Sequence, residues 1–157
     1  MNIIAETELI LTPEKKIYHL NLSKEEIADD ILLVGDPNRV KLISSRFDTI
    51  DFKVQNREFI THTGTLNGKR ISAISTGIGT DNIDIVINEL DALVNINFET
   101  RTLNSNRKSL NLIRLGTSGA LQSNIEIDTL LTSSFSLGFD NLAHFYLEKK
   151  IINKEMS

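Results

Sequence analysis

Arg114 stands in the stretch of this chain that is best suited to bind an anion. It lies in the apolar run Leu110–Leu115, which has the length of a strand, and the small-residue turn Gly116–Gly119 follows directly. The turn offers backbone N–H groups and the hydroxyls of Thr117 and Ser118. Because ligands collect at the carboxyl ends of strands in open α/β sheets, the stretch predicts an anion site. The alternative is an arginine whose stem lies along apolar surface with its head in water.

Arg39 is a second candidate for the same chemistry. The run Asp30–Val34 has the pattern of a buried parallel strand, and it leads into a helix with Asp36 as N-cap and Pro37 at the first helical position. A cation in the first turn opposes the helix dipole at a cost of about 0.3–1 kcal/mol. The position of Arg39 is explained if it shares an anionic ligand with the N–H groups of that turn. A solvated arginine is the alternative.

The elements that must position these groups are predicted from periodicity. Further strands are predicted at Thr49–Gln55, Phe59–Leu66 and Lys69–Thr76, and Asn67-Gly68 between the last two is the strongest short hairpin signal. Thr129–Leu137 is predicted to be another strand. The polar segment Asn95–Ser109 is predicted to be an exposed loop.

Two helices follow glycine-containing turns. The first has a partial apolar face formed by Val40, Leu42 and Ile43. The second follows Ser75–Gly79, with Asp81 as its expected cap. Its apolar face is expected to consist of Ile83, Val86, Ile87, Leu90 and Leu93. Upstream, Ser23 with Glu26 three residues later predicts a capped turn. His19 stands alone between apolar neighbours, and such a histidine most often has a structural role.

Composition limits the classes of function. A chain of 157 residues with 40% hydrophobic residues can fold as one domain with a real core. The 17 basic and 21 acidic residues form no basic block, which argues against a nucleic-acid partner. There is no cysteine, and His19, His62 and His144 are too far apart for a local metal motif. No apolar run of about 18 residues and no signal peptide is evident, so a cytoplasmic protein is expected.

A dinucleotide site is one interpretation of the glycine turn after the Lys69–Thr76 strand. Gly77 and Gly79 follow a strand and open a helix, and Glu99 lies at about the right distance for a ribose contact. Asn82, however, occupies the position that needs a third small residue. The other interpretation groups Arg39, Arg57 and Arg114 around one phosphate, with donors from Gly35 and Thr117.

Short motifs that support the second interpretation occur in a fixed order along the chain. They are His19–Leu22, Gly35–Val40, Arg57–Phe59, Ser75–Gly79 and Arg114–Gly119. Each motif is weak alone, but the ordered set strongly resembles the nucleoside phosphorylase family, which includes purine nucleoside and uridine phosphorylases. The resemblance runs from about Ile17 to Tyr146.

The resemblance implies a three-layer α/β/α sandwich with a mixed, partly barrel-like central sheet. It also implies phosphorolysis of a nucleoside to free base and pentose 1-phosphate, with inorganic phosphate as co-substrate and without a metal or further cofactor. Gly35, Arg39, Arg114 and Thr117 would hold the phosphate. Arg114 and Thr117 would be the catalytic residues, and Thr117 would also lie near the ribose.

The same resemblance implies a homo-oligomer built from dimers with shared active sites. Arg57 would reach the phosphate of a neighbouring subunit, and His19 would cross the dimer interface to the ribose 5′-hydroxyl. Ser75–Gly79 and Gly116–Gly119 resemble the uridine branch, since bacterial purine enzymes tend to carry a histidine in the first motif and a cysteine in the second. Uridine is therefore the expected nucleoside, with a purine nucleoside as the alternative; the long Asn95–Ser109 insertion departs from the bacterial uridine pattern.

Members of this family are substantially longer than this chain. Their later half supplies the residues that read uracil and a Glu-Met-Glu segment that binds ribose. Residues 1–157 are therefore expected to form a single, C-terminally incomplete phosphorylase domain that is inactive and folds poorly alone. The alternative is a stable, non-catalytic remnant that only binds phosphate or a partner subunit.

Overall fold

The structure is a computed structural model that describes residues 3–146. The chain divides into two compact units, residues 1–116 and 117–157. The elements of the first unit are, in order, β1 (Asp30–Val34), α1 (Pro37–Ser44), β2 (Thr49–Asn56), β3 (Phe59–Leu66), β4 (Lys69–Ser75), α2 (Thr80–Asn95), β5 (Ile96–Asn97), β6 (Thr102–Leu103) and β7 (Asn111–Leu115).

A mixed five-stranded sheet with the strand order β2-β3-β4-β1-β7 forms the centre of the first unit. The strands β2, β3 and β4 form an antiparallel meander, and β1 lies parallel to both β4 and β7. Asn67 and Gly68 join β3 to β4 with φ angles of 51° and 75°, as a two-residue turn of the type I′ class requires. The predicted strands of this unit and the predicted hairpin are therefore confirmed.

The two helices cover opposite faces of this sheet. Neighbouring residues along a strand point to opposite faces, and three such pairs divide between two separate core clusters: Leu33 and Val34, Phe59 and Ile60, and Ile74 and Ala73. The first member of each pair packs in the cluster that contains residues of α2, and the second packs with Val40 of α1. The unit is thus layered α/β/α, in agreement with the predicted fold class.

Helix α1 begins as its sequence predicts. The Asp36 carboxylate accepts a hydrogen bond of 2.9 Å from the N–H of Asn38, and Pro37 is the first helical residue. Val40 is fully buried, but Leu42 is 67% exposed, so its assignment to the apolar face was wrong. Two residues correspond to about 200° of helix rotation, which turns Leu42 away from the sheet.

The N-cap of helix α2 lies two residues before the predicted cap. Gly79 is the N-cap, and Asp81 lies inside the first turn, where its negative charge interacts favourably with the positive end of the helix dipole. Val86, Leu90 and Leu93 are buried as expected, whereas Ile87 is partly exposed at the edge of the apolar face.

The segment from Asn95 to Ser109 is mostly exposed, as its polar composition predicted, but it is not simply a loop. Asn95 ends α2 and is buried, and β5 and β6 form an antiparallel pair. The Asn95 amide donates to the Lys108 carbonyl at 3.0 Å and accepts from the Lys108 N–H at 2.7 Å. The guanidinium of Arg101 donates to backbone carbonyls near the start of the chain. Polar side chains therefore satisfy the backbone here, and composition alone does not reveal it.

The segment before β1 packs its apolar side chains into the core. Ile17, Leu20 and Leu22 are buried. Ser23 and Glu26 form the predicted capping box at the short 3-10 turn Lys24–Glu26. Burial alone would raise the pKa of Glu26, but the hydrogen bond and charge of Lys16, together with bonds from Ser23, hold this pKa below its ordinary value.

The second unit is described for residues 117–146. The predicted strand at Thr129–Leu137 is wrong, because this segment is irregular and its apolar side chains are exposed, with Leu130 at 94%. A strand needs a hydrogen-bonded neighbour and a buried face, which a favourable pattern does not supply by itself. The regular element described here is the 3-10 turn Leu142–Phe145. Among residues 3–146, no helix has both the length and the apolar character needed to cross a membrane.

Candidate functional site

The carboxyl ends of β1, β4 and β7 bring Gly35, Gly77 and Arg114 together; these three residues are called the carboxyl-edge cluster. The three strands are parallel neighbours, so their carboxyl ends share one edge of the sheet. A Cβ atom placed on Gly35 would lie 3.4 Å from the Gly77 carbonyl oxygen and 3.7 Å from Nη2 of Arg114. The guanidinium therefore lies against the backbone of Gly35, as the anion-site hypothesis requires.

Hydrogen bonds of the buried residues Ser75 and Thr76 hold the glycine turn after β4 in place. The Thr76 N–H donates to the Val34 carbonyl at 2.8 Å, which fixes the turn to the end of β1. The Ser75 hydroxyl accepts from the Ile60 N–H and donates to the Glu58 carbonyl, each at 2.7 Å. Ser75 therefore ties the β2–β3 turn to the end of β4. Gly77 adopts a φ of 69°, which favours glycine.

A cleft of about 440 Å³ opens beside this turn. The first residues of α1 and the residues just before α2 line it, so the positive ends of two helix dipoles face it. The Glu58 side chain also lines the cleft, and its negative charge would repel an anion bound beside it. The Arg114 guanidinium lies next to Gly35. The lining residues are Gly35, Asp36, Pro37, Glu58, Gly77, Ile78, Gly79 and Asn82.

The remaining predicted phosphate ligands occupy different positions. Arg39 is half-buried in the first turn of α1, at the same end of the helix as Gly35. Arg114 is exposed on β7, where it pairs in register with Leu33. Thr117 is the first residue of the second unit, and its predicted part in the site stays a prediction.

His19 and Arg57 are brought together in a second group with Tyr18, called the Tyr18 cluster. The Arg57 guanidinium carbon lies 5.9 Å from the centre of the Tyr18 ring, and the Tyr18 and His19 rings meet edge to face with centres 5.0 Å apart. Arg57 lies in the β2–β3 turn with a φ of 54°. The neighbouring Asn56 donates its side-chain amide to the His19 carbonyl at 2.8 Å. Residues far apart in sequence thus form one surface.

The sequence did not reveal the partner of His19. Nδ1 of His19 lies 2.7 Å from Oε1 of Glu89, and the Glu89 carboxylate also accepts the backbone N–H groups of His19 and Leu20 at 3.0 and 2.8 Å. The one local signal was an acidic residue directly beside the buried Leu90 of α2, which places its side chain at the border of the core. Nothing in the sequence linked it to a histidine 70 positions away.

The structure does not support the dinucleotide interpretation. Glu99, the expected ribose ligand, lies between β5 and β6 and forms an ion pair with Lys15. At the third position of the fingerprint, the Asn82 side chain packs against Gly77, and its amide nitrogen is 2.5 Å from an ideal Cβ on that glycine. A cofactor pyrophosphate needs this space for close backbone approach.

His62 has a structural environment. It is buried on β3, and its Nδ1 lies 2.6 Å from the Ser44 hydroxyl of α1. Burial, followed by the positive charges of Lys53 and Lys41, lowers the pKa of His62 below its ordinary value. Within residues 3–146, no group of three or more histidine, aspartate or glutamate side chains is placed to hold a metal ion.

Comparisons with known proteins identify the family of this chain. The family model of the Phosphorylase superfamily matches residues 29–150. A uridine phosphorylase of Thermococcus kodakarensis is 35% identical over 87% of this chain and 44% of that protein. A DeoD-type purine nucleoside phosphorylase of Alkaliphilus metalliredigens is 38% identical over 75% of this chain and 46% of that protein.

Among the solved structures that match, one example is similar over most of the chain. It is a nucleoside phosphorylase of Trypanosoma brucei described as showing uridine phosphorylase activity. The TM-score is 0.68 and the identity 34%, over 75% of this chain and 41% of that one. The chain spans about half the length of the curated relatives it matches.

Proposed function

The chain belongs to the phosphorylase superfamily, and from this we propose that it carries the phosphate-binding part of a nucleoside phosphorylase domain that cleaves uridine or a related nucleoside. The observation that carries the proposal is the position of the Arg114 guanidinium, 3.7 Å from the place that a Cβ on Gly35 would occupy, at the shared carboxyl edge of three parallel strands. A guanidinium beside open backbone and two helix N-termini is suited to phosphate in both charge and geometry.

The proposed reaction is a displacement at C1′ of the sugar. A phosphate oxygen forms a bond to C1′ while the bond from C1′ to the base nitrogen breaks, and the base leaves with the electron pair and takes up a proton. The products are the free base and ribose 1-phosphate. Gly35, Arg39, Arg114 and Thr117 would hold the phosphate beneath the sugar, where its negative charge stabilises the positive charge that develops at C1′.

We also propose that a second copy of the chain completes the site. His19 would take the ribose 5′-hydroxyl and Arg57 the phosphate of a neighbouring subunit. The Tyr18 cluster supports this proposal, because both side chains contact one tyrosine ring. A single docking event would therefore deliver both residues.

Uridine is the proposed substrate because the motifs Ser75–Gly79 and Gly116–Gly119 lack the histidine and cysteine of the bacterial purine pattern. The uridine phosphorylase of Thermococcus kodakarensis supports this choice. A purine nucleoside is the second candidate, because a purine nucleoside phosphorylase is the relative at 38% identity.

The test is base release by the purified 157-residue chain. Uridine and inosine are each incubated with and without inorganic phosphate, and free base is separated by chromatography. Release of uracil that requires phosphate, and that exceeds release of hypoxanthine, would support the uridine proposal and would overturn the expectation that this chain is inactive alone. Arg114→Ala should abolish it, and Arg107→Ala, which removes an exposed arginine elsewhere in the same unit, should not.

Other results would redirect the proposal. Faster cleavage of inosine would move the chain to the purine branch, and base release without phosphate would indicate hydrolysis. Stabilisation by phosphate without any turnover would restrict the function of this chain to binding. If phosphate produces no turnover and no stabilisation, the proposed site is refuted.

A further inference from the structure

We propose that Glu89 is a positioning residue that fixes the tautomer and orientation of His19 and thereby presents its Nε2 atom as a hydrogen-bond acceptor to a ligand hydroxyl. The inference rests on the proposed function only for the identity of that hydroxyl, which would be the ribose 5′-hydroxyl. The arrangement of the two side chains stands on its own contacts.

The tautomer follows from the chemistry of the contact. A carboxylate offers acceptors and no donor, so the Nδ1 atom of His19, 2.7 Å from Oε1 of Glu89, must carry the proton of that bond. A neutral imidazole has a single N–H, and its second nitrogen then has a lone pair. Nε2 is therefore an acceptor, which suits a hydroxyl donor.

The carboxylate also holds the backbone that carries the ring. Its two oxygens accept the N–H groups of His19 and the following Leu20, and the Leu20 side chain is buried in the core. From the other side, the Asn56 amide donates to the His19 carbonyl. Glu89 thus holds both the ring and the backbone N–H groups beside it, and the tautomer cannot change without breaking the contact between Nδ1 and Glu89.

The His19 ring remains accessible to a ligand. Its side chain is 28% exposed, while that of Glu89 is only 12% exposed. The edge-to-face contact with Tyr18 further restricts ring rotation. Glu89 is therefore shielded from the ligand and acts through the histidine, as the partner of a functional imidazole commonly does.

The decisive experiment reads the protonated nitrogen directly. The 157-residue chain is labelled with 15N-histidine, and long-range 1H–15N correlations are recorded at a pH at which the imidazoles are neutral. His19→Gln identifies the His19 signals by their loss. We expect the Nδ1–H form at His19 in the wild type and in Asp84→Asn, which removes a carboxylate from the same helix.

Two variants of Glu89 test its role. Glu89→Gln keeps the size but offers one acceptor oxygen to three donors, and its amide N–H₂ can donate to the ring; Glu89→Ala removes the contact. In both, the His19 signals are expected to shift toward the Nε2–H form. An Nε2–H form in the wild type would overturn the inference, and so would an unchanged Nδ1–H form in both variants.

A ligand titration separates this inference from the proposed function. With phosphate present, uridine should shift the Nε2 resonance of His19, and 5′-deoxyuridine, which lacks the hydroxyl, should not. Equal shifts with both nucleosides would overturn the assignment of the hydroxyl. Failure of both nucleosides to bind would contradict the proposed function, while the tautomer measurement would still decide the role of Glu89.

Discussion

Replacing Arg114 with alanine should remove most of the stabilisation that phosphate gives to this chain. Hydrogen bonds to charged groups contribute about 1.5–3 kcal/mol each. Arg114 is exposed, so water competes and the lower end of this range applies. A guanidinium that contacts phosphate through two such bonds then contributes about 3 kcal/mol, and its loss weakens binding roughly 100-fold.

The expected change in melting temperature follows by mass action. Phosphate at about 100 times its dissociation constant stabilises the wild type by about 2.7 kcal/mol, which for a chain of this length raises the melting temperature by about 5–11 °C. After a 100-fold loss of affinity, the same concentration contributes only about 0.4 kcal/mol, or about 1–2 °C.

Thermal unfolding followed by circular dichroism measures both values, with chloride at equal ionic strength as the reference. Arg107→Ala serves as the control, because it removes the same charge from an exposed position between β6 and β7. The same rise in Arg114→Ala as in the wild type would refute the anion site at the carboxyl edge. An equal loss in Arg107→Ala would show that net charge, and not a site, determines the response.

Three further changes test the site and its supports. Gly35→Ala introduces a methyl group at ordinary contact distance, 3.4 Å from the Gly77 carbonyl and 3.7 Å from Arg114, so phosphate stabilisation should fall while stability without phosphate changes by less than about 1 kcal/mol. His62→Gln should reduce the loss of stability on acidification. The pKa of His62 is lowered in the fold, so below about pH 6.5 the unfolded chain binds more protons than the folded chain. Folding stability therefore decreases as the pH decreases there. Asp36→Ala removes the cap of α1 and should cost about 1 kcal/mol in urea unfolding.

The outcomes that would contradict these expectations are equally specific. An undiminished phosphate response in Gly35→Ala would place the anion elsewhere. Urea midpoints that change with pH equally in the wild type and in His62→Gln would show that His62 does not contribute to acid sensitivity. An unchanged midpoint in Asp36→Ala, with Asp51→Ala as an exposed control, would show that the capping bond contributes nothing.

Local rules were sufficient for much of the fold. Asp36 and Pro37 specify the start of α1, and Asn67-Gly68 specifies the β3–β4 hairpin, because each acts within a few residues of the backbone it shapes. The errors lie where structure depends on distant partners. The strand predicted at Thr129–Leu137 had a suitable pattern and no pairing neighbour, and Asn95–Ser109 is ordered by side chains that bind its backbone.

The candidate site shows the same division. Parallel strands share a carboxyl edge, so the strand-turn patterns around Gly35 and Arg114 already predicted that these residues meet. The contact between Glu89 and His19 could not be predicted, because the residues are 70 positions apart and no sequence pattern near either one indicates the other. The role of Ser75 was equally hidden, since a serine in a glycine-rich turn suggests a ligand donor and here supports a neighbouring turn.

The position of β7 at the edge of the sheet has a consequence for the order of folding. The meander β2-β3-β4 closes through two-residue turns, whereas Asn111 of β7 pairs with Asp30 of β1 across 81 positions of sequence. Loop closure makes such long-range parallel pairing slow, so we expect β7 to join the sheet last. Arg114 is part of β7, and Gly35 directly follows β1, the strand with which β7 must pair. An anion held between them would act as a clamp on the last step of assembly, so that one contact both binds the ligand and completes the sheet.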